Sequence, residues 1–282
     1  MRPRRAPDLC VSQAIAAAMA AGLDRLDAQL LLLHALGRKP HDRAWLLAHD
    51  TDVLPLSAQT AFEACIQRRI TGEPLAYITG RKEFFGLDLQ VNANVLVPRP
   101  DTETLVEWAL EVLQPTSAGT VLDLGTGSGA IALALKATRP DLHVSAIDYS
   151  EAALVVARAN ALRLQLDVDF QQGCWLNQVQ ARFHVIVSNP PYIAAQDSHL
   201  NALTFEPLQA LASGNDGLDD IRHIITQAPA HLHSGGWLLL EHGYDQAAAV
   251  RGLLLEAGFS AVQSRLDLSG IERCSGGRLR QN

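Results

Sequence analysis

Between Thr120 and Gly258 the chain alternates in a regular way, and that alternation limits what it can fold into more than any other feature. "TVLDLG", "HVSAID", "DVDFQQ", "HVIVSN" and "GWLLLEHG" read as strands. Between them "GAIALALKAT", "EAALVVARANALRL", "IRHIITQAPAHL" and "DQAAAVRGLLLEAG" read as helices, and the tail reads as a final hairpin-like pair. Strands separated by helices of about a dozen residues imply a mostly parallel sheet covered by helices on both faces. The fold class expected is α/β of the Rossmann-like kind. Upstream, "PRPDTETLVEWALEVL" starts a helix with Asp101 or Thr102 at its cap and acids in the first turn.

The first part of the chain has a different grain. From Ser12 to about Thr71, Leu23, Leu26, Leu30, Leu33 and Leu36 recur at helical spacing, and "SAQTAFEACIQRRI" repeats the signature after a Ser57 cap. "TGEPLAYITG" then breaks the helix, and "KEFFGLDLQVNANVLV" predicts a β-hairpin around Asn92 and Asn94. The expected organisation is a helical N-terminal domain over 1–75, a β-hairpin linker over 76–98, and a nucleotide-binding domain over 99–282.

Charge sorts the partners. The net charge is −7, and residues 1–80 hold 9 Lys+Arg against 8 Asp+Glu, leaving 14 against 22 for the rest. A protein that lives on nucleic-acid backbone needs surplus cations, so no direct nucleic-acid binding is expected. The 4 cysteines form no CxxC pair and have no ligand-like spacing to histidine, which predicts neither a disulfide framework nor a metal site and suits a reducing cytoplasm. "MRPRR" followed by "VSQAIAAAMAAG" loosely imitates a signal peptide, but Asp8, Ser12 and Gln13 interrupt the apolar stretch, which reads as an alanine-rich helix. No run approaches the roughly 18 apolar residues of a membrane span.

In sheets of this class ligands bind beyond the carboxyl ends of the strands, so what each strand delivers there carries the function. The first delivers "DLGTGSGA", in which Gly125, Thr126, Gly127, Ser128 and Gly129 allow a tight turn and close backbone approach at a helix N-terminus. The loop also satisfies a dinucleotide fingerprint and does not choose between nucleotide cofactors. The second strand ends at Asp148, placed either to accept from ribose hydroxyls or to cap the helix starting near Ser150. The third is followed by Trp175, which can pack on an adenine or on the core.

The fourth strand leaves through Asn189, Pro190, Pro191 and Tyr192. Two prolines remove two backbone donors and fix their own φ, as a plain turn also could. Hydride transfer would want an acid or base here, and the tetrapeptide offers none. Methyl transfer to a planar amide or aryl-amine nitrogen wants something else, because that lone pair is tied up by resonance. Acceptors aimed at its N–H bonds stabilise the positive charge that builds as it attacks. Asn189 offers a side-chain carbonyl and Pro190 a backbone carbonyl, Pro191 stiffens the turn, and Tyr192 can lie against the planar group.

"DLGTGSGAIALAL" and "SNPPYI", in that order, resemble class I S-adenosylmethionine-dependent methyltransferases. "GEPLAYITGRKEFFGLDLQVNANVLVPRPDTETLVEWAL", "HLNALTFEPLQALASGNDGLDDIRHI" and "LLLEHGYDQAAAV" resemble more closely the release factor glutamine N5-methyltransferases, the PrmC/HemK family, and the likeness runs from about Leu23 to the end. The resemblance implies transfer of a methyl group from S-adenosylmethionine, leaving S-adenosylhomocysteine, to the glutamine amide of the Gly-Gly-Gln motif in class I peptide chain release factors, by a monomeric cytoplasmic enzyme. It implies that Gly125 to Gly129, Asp148, Trp175 and Asn189 hold the donor, while Asn189 to Tyr192 hold the glutamine amide. The alternative is an amino-group methyltransferase of adenine or guanine in DNA or ribosomal RNA, since NPPY is shared with such enzymes. One departure stands out: the family commonly has an acid before the tryptophan, and here Cys174 precedes Trp175, which puts in question the adenine amino contact implied there. Arg99, Asp101 and Glu206 fit either a substrate channel or capping and ion pairing. His242 is placed like a base, but carbonyl acceptors make a base unnecessary, and a structural role is expected of it.

Overall fold

This computed structural model describes residues 9–113 and 118–280, so the basic start "MRPRR" lies outside the described residues. The chain divides into two compact units, Met1–Gly80 and Arg81–Asn282.

The first unit is helical: α1 (Val11–Ala20), α2 (Arg25–Ala35), α3 (Arg43–Ala48), α4 (Leu56–Ile70) and a short α5 (Leu75–Thr79). Asp24 caps α2 by accepting from the Asp27 amide at 2.9 Å. The core gathers Leu31, Leu32, Leu33, Leu46, Phe62 and Ile66. Leu26, expected on the buried face, is 48% exposed. Three consecutive buried leucines on α2 leave the stripe elsewhere and turn Leu26 outward. Ser57 does not cap α4: Pro55 stands at the cap and Ser57 lies in the first turn, a placement suited to a residue with fixed φ and no N–H to satisfy.

The second unit opens with a two-stranded hairpin, β1 (Arg81–Phe84) and β2 (Leu87–Gln90). Its turn is Phe85–Gly86 and not the Asn92–Asn94 segment the sequence suggested, because both turn residues take positive φ, 49° and 77°. That is the geometry a two-residue hairpin needs. Asn92 instead folds its side chain onto the Asn94 amide at 2.9 Å in a local turn. A 3-10 turn over Pro100–Thr102 leads into α6 (Glu103–Leu113), with Arg99 at its cap position, so neither Asp101 nor Thr102 caps the helix.

The main sheet has seven strands: β3 (Thr120–Leu124), β4 (His143–Asp148), β5 (Asp169–Gln172), β6 (Phe183–Ser188), β7 (Leu232–Glu241), β8 (Phe259–Leu266) and β9 (Glu272–Leu279). Their order is β5-β4-β3-β6-β7-β9-β8. The first five pair in parallel, while β9 runs antiparallel to β7 and β8 to β9. The connecting helices are α7 (Ala130–Thr138), α8 (Glu151–Leu164), α9 (Asp219–His231) and α10 (Ala247–Glu256). Val121 joins the core on one side of the sheet, with Trp108 and Leu133, and Leu122 and Leu124 join the other, with Ile221 and Ile225. A doubly covered parallel sheet needs both. No helix among the described residues is long and apolar enough to cross a membrane.

Two details fix the sheet's carboxyl edge. The first is Asp123, fully buried near the end of β3, whose Oδ2 accepts from the Thr126 hydroxyl at 2.6 Å and from the Ala132 amide at 3.2 Å. It thereby ties the glycine loop to the first turn of α7. Burial pushes this carboxyl up to about 7 despite those bonds, and neighbouring Asp148 adds to the rise. The second is Gly217, with φ +77°, where a Cβ would stand 2.1 Å from the Tyr192 carbonyl oxygen.

Both details predict measurable behaviour. Gly217→Ala forces backbone apart at the NPPY segment, and urea unfolding should show a loss of about 1–3 kcal/mol. Asp123 has a folded pKa above its unfolded value, so the native form holds a proton that the unfolded chain releases. Its contribution to stability is present below about pH 4 and is lost as pH rises through about 7. Asp123→Asn should therefore gain on the parent by up to roughly 4 kcal/mol between those limits, read from unfolding curves at each pH without added ligand.

Candidate active site

The carboxyl ends of β3, β4 and β6 converge on a cavity of about 290 Å³. The glycine loop forms its floor: the Gly125 and Thr126 amides both donate to the Ile147 carbonyl, at 2.8 and 3.1 Å, which bends the chain sharply off β3. Gly125, Thr126, Gly127 and Ser128 line the cavity. Gly129 does not, and serves packing instead. A Cβ there would come within 3.0 Å of Leu133 and 3.3 Å of Ala157.

Asp148 lines the cavity at the end of β4. Its Oδ2 accepts from the Gly127 amide and its Oδ1 from the Ser150 amide, both at 2.8 Å. It therefore braces the loop from across the cleft while each oxygen retains a second lone pair. Burial raises its pKa, and the backbone donors oppose the rise. The cap of α8 is Ser150 itself, which accepts from the Ala153 amide at 3.2 Å.

Trp175 stands in the left-handed region, φ 51°, with its ring against Gly125: a Cβ on that glycine would be 3.4 Å from the indole. The indole N–H donates to Asp220 Oδ1 at 3.0 Å, and Asp220 Oδ2 accepts from the Ser213 hydroxyl at 2.6 Å. Cys174 is exposed and also lines the cavity. Asp220, which sequence reasoning missed, thus puts a carboxylate on this wall from α9, where residue 174 brings only a thiol.

The NPPY segment closes the far side. Asn189 and Pro191 line the cavity, whereas Pro190 is buried and lines neither it nor a smaller adjoining cavity of about 110 Å³. That smaller cavity is walled by Leu96, Arg99, Asn189, Tyr192 and Leu203 among others. The Asn189 Nδ2 donates to the Thr102 hydroxyl at 3.2 Å, while its Oδ1 is buried with no partner among the described residues. The Tyr192 hydroxyl donates to Glu241 Oε1 at 3.4 Å, and burial beside that carboxyl keeps the phenol protonated far above its usual range. Behind the segment, Gln246 Nε2 holds the Tyr192 carbonyl at 3.0 Å.

The remaining flagged residues have defined places. Glu206 is buried, pairs with Arg99 and accepts from the Val97 amide at 3.1 Å, and Asp101 pairs with Arg273 at 3.5 Å. His242 is buried with both ring nitrogens engaged, Nδ1 at 2.9 Å from the Gly243 carbonyl and Nε2 at 2.7 Å from the Ser275 hydroxyl. Because Nδ1 faces a carbonyl it carries the proton, and Nε2 accepts. Burial lowers its pKa and keeps it neutral, so it is not presented to the cavity as a base. Thr102 and Glu241 were not picked out by sequence reasoning as parts of the site. Thr102 was read as a helix cap, and the residue next to Glu241, His242, drew attention instead.

Comparison with known proteins identifies the family. Residues 102–264 match the model described as Methyltransferase small domain, and residues 11–80 match the PrmC N-terminal domain. The release factor glutamine methyltransferase of Bordetella pertussis is 50% identical over 92% of this chain and 96% of its own. That of Pseudomonas aeruginosa is 51% identical over 90% of this chain and 92% of its own. Among solved structures, a methyltransferase from Pyrococcus furiosus superposes with a TM-score of 0.54 at 20% identity, covering 76% of this chain and 97% of its own, a likeness of fold. With half its residues shared along nine-tenths of its length, and with an N-terminal and a catalytic model matched in one chain, this protein belongs to the release factor glutamine methyltransferase family.

Proposed function

We propose that the chain methylates N5 of the glutamine in the Gly-Gly-Gln motif of class I release factors, using S-adenosylmethionine, and acts as a monomer without binding nucleic acid directly. The observation that carries this is the Asn189 amide: its Nδ2 is spent on Thr102, and its buried Oδ1 has no partner among the described residues. A buried acceptor without a donor is costly, by roughly 1–3 kcal/mol, so it suits a ligand that brings an N–H. A primary amide brings two.

The residues around the cavity fit the donor. Asp148 lies about 20 residues past the glycine loop, where an acid meets ribose hydroxyls. The Trp175 ring packs against Gly125 in the cavity wall and offers an apolar face to a purine, and Asp220 stands beside it. S-adenosylmethionine supplies, when bound, the electrophilic methyl group. The protein's own work is to hold the nitrogen. Asn189 Oδ1 accepts one N–H of the glutamine amide, the Pro190 carbonyl is the proposed acceptor for the other, and Tyr192 fixes the plane. As the nitrogen gains positive charge those acceptors strengthen, and in a water-poor pocket the gain is larger than in solution. The extra proton passes to solvent water after transfer, so no residue needs to remove it beforehand, consistent with the engagement of both nitrogens of His242.

Incubation with methyl-labelled donor and a release factor should label the Gly-Gly-Gln glutamine, mapped by fragmentation mass spectrometry. Label on DNA or ribosomal RNA instead would overturn the reading. Asn189→Ala should lower kcat by about 100-fold or more while donor affinity in calorimetry stays within a few-fold. A parallel collapse of donor binding would mean that Asn189 acts on the donor.

A further inference from the structure

The segment that follows β5 is gripped by one helix. Asp220 and Gln227 stand two turns apart on α9, so their side chains share the face turned toward that segment. Asp220 Oδ1 accepts from the Trp175 indole N–H at 3.0 Å, while Gln227 accepts from the Leu176 amide at 3.3 Å and donates to Asn177 Oδ1 at 2.6 Å. The start of α9 is itself tied down. Ser213 is buried, and its hydroxyl donates to Asp220 Oδ2 at 2.6 Å and accepts from the Asp220 amide at 2.9 Å. The Ser213 amide donates to the Ile193 carbonyl at 2.9 Å, and the Ile193 amide donates to the Leu211 carbonyl at 2.9 Å. The anchor therefore runs to the residue that follows the NPPY segment.

A ring held only by packing can slide and tilt, whereas a ring whose N–H is bonded to a fixed acceptor is held in direction as well. The tether to Asp220 thus sets how the indole lies against Gly125, and Ser213 refers that placement to the NPPY side of the cavity. We propose that Asp220 is a positioning residue that holds the Trp175 ring as the wall for the donor's purine, an inference that rests on the donor reading given above. Its effect passes through the indole. Released from Asp220, the ring must be ordered anew each time the donor binds, and that cost falls on donor affinity. Asp220 also borders the cavity, so direct contact with the donor is the competing role.

Asp220→Ala removes the tether, whereas Asp220→Asn keeps it. The new amide oxygen takes the indole N–H, and its NH₂ donates to the Ser213 hydroxyl, whose second lone pair is free to accept. In calorimetry with S-adenosylhomocysteine the alanine variant should bind about ten-fold more weakly than the parent and the asparagine variant within about three-fold, with kcat at saturating donor within about three-fold for both. An unchanged Kd in the alanine variant, an asparagine variant as impaired as alanine, or a loss carried by kcat overturns the proposal. Trp175→Phe keeps a ring without the N–H, so adding Asp220→Ala to it should cost less than about three-fold more. A larger further loss means that Asp220 touches the donor itself, and overturns the proposal equally. A donor-free readout separates the tether from the proposed function. The Trp175 indole N–H resonance, identified by its loss in Trp175→Phe, should exchange with solvent about ten-fold faster or more in Asp220→Ala than in the parent and the asparagine variant. Equal exchange in all three overturns the tether, whereas labelling of the release factor by the parent protein reports on the proposed function alone.

Discussion

The position of β3 governs everything else in the catalytic unit. It lies between β4 and β6 and runs parallel to both, so three strand ends open along one edge. Parallel pairing also fixes faces: a slip of one residue would move every side chain of β3 to the opposite layer, exchanging Val121 and Asp123 with Leu122 and Leu124. The tip is locked by cross-strand bonds as well. Gly125 and Thr126 share the Ile147 carbonyl, and the Ser188 hydroxyl donates to the Leu124 carbonyl at 2.7 Å. The glycine loop and the NPPY segment are thus held at a set spacing by strand pairing, and the helices behind them keep that pairing dry.

Around this edge three carboxyl groups are managed in three ways. Asp123 is enclosed and braces the loop from below; Asp148 takes two backbone amides and stays at the cavity wall; Glu241 is enclosed behind the NPPY segment. Burial raises all three, to about 7 for Asp123 and Glu241. A site that keeps water away in this manner makes each remaining hydrogen bond count for more. This favours chemistry by orientation of neutral groups, and an amide nitrogen needs that more than it needs a base.

Much of this was legible in the sequence. The alternation placed every strand and helix of the main sheet, and the order of the glycine loop, Asp148 and the NPPY tetrapeptide placed the cavity. What escaped has physical causes. The hairpin turn fell at Phe85–Gly86 because a phenylalanine at positive φ gives no local signal, whereas Asn92 and Asn94 advertise a turn and make only a side-chain one. Thr102 meets Asn189 across 87 residues and Glu241 meets Tyr192 across 49, so no spacing rule connects them; only strand register does. Within "EHG" the eye goes to histidine, yet alternation along β7 sends His242 to Ser275 and its neighbour to the site. Asp220 was hidden in the same way, as one acid in an acidic helix start.

Trp175 carries a consequence of its own. Its backbone sits in a conformation that residues with a Cβ seldom adopt, and its ring nitrogen is tethered to an aspartate that a serine holds from two sides. A side chain so confined has little rotational freedom left to lose when a flat ring settles beside it, and such ordering commonly costs about 0.5–1.5 kcal/mol per side chain. Here folding has already done that ordering. A planar ligand that packed on this ring would meet a wall whose shape folding has already fixed.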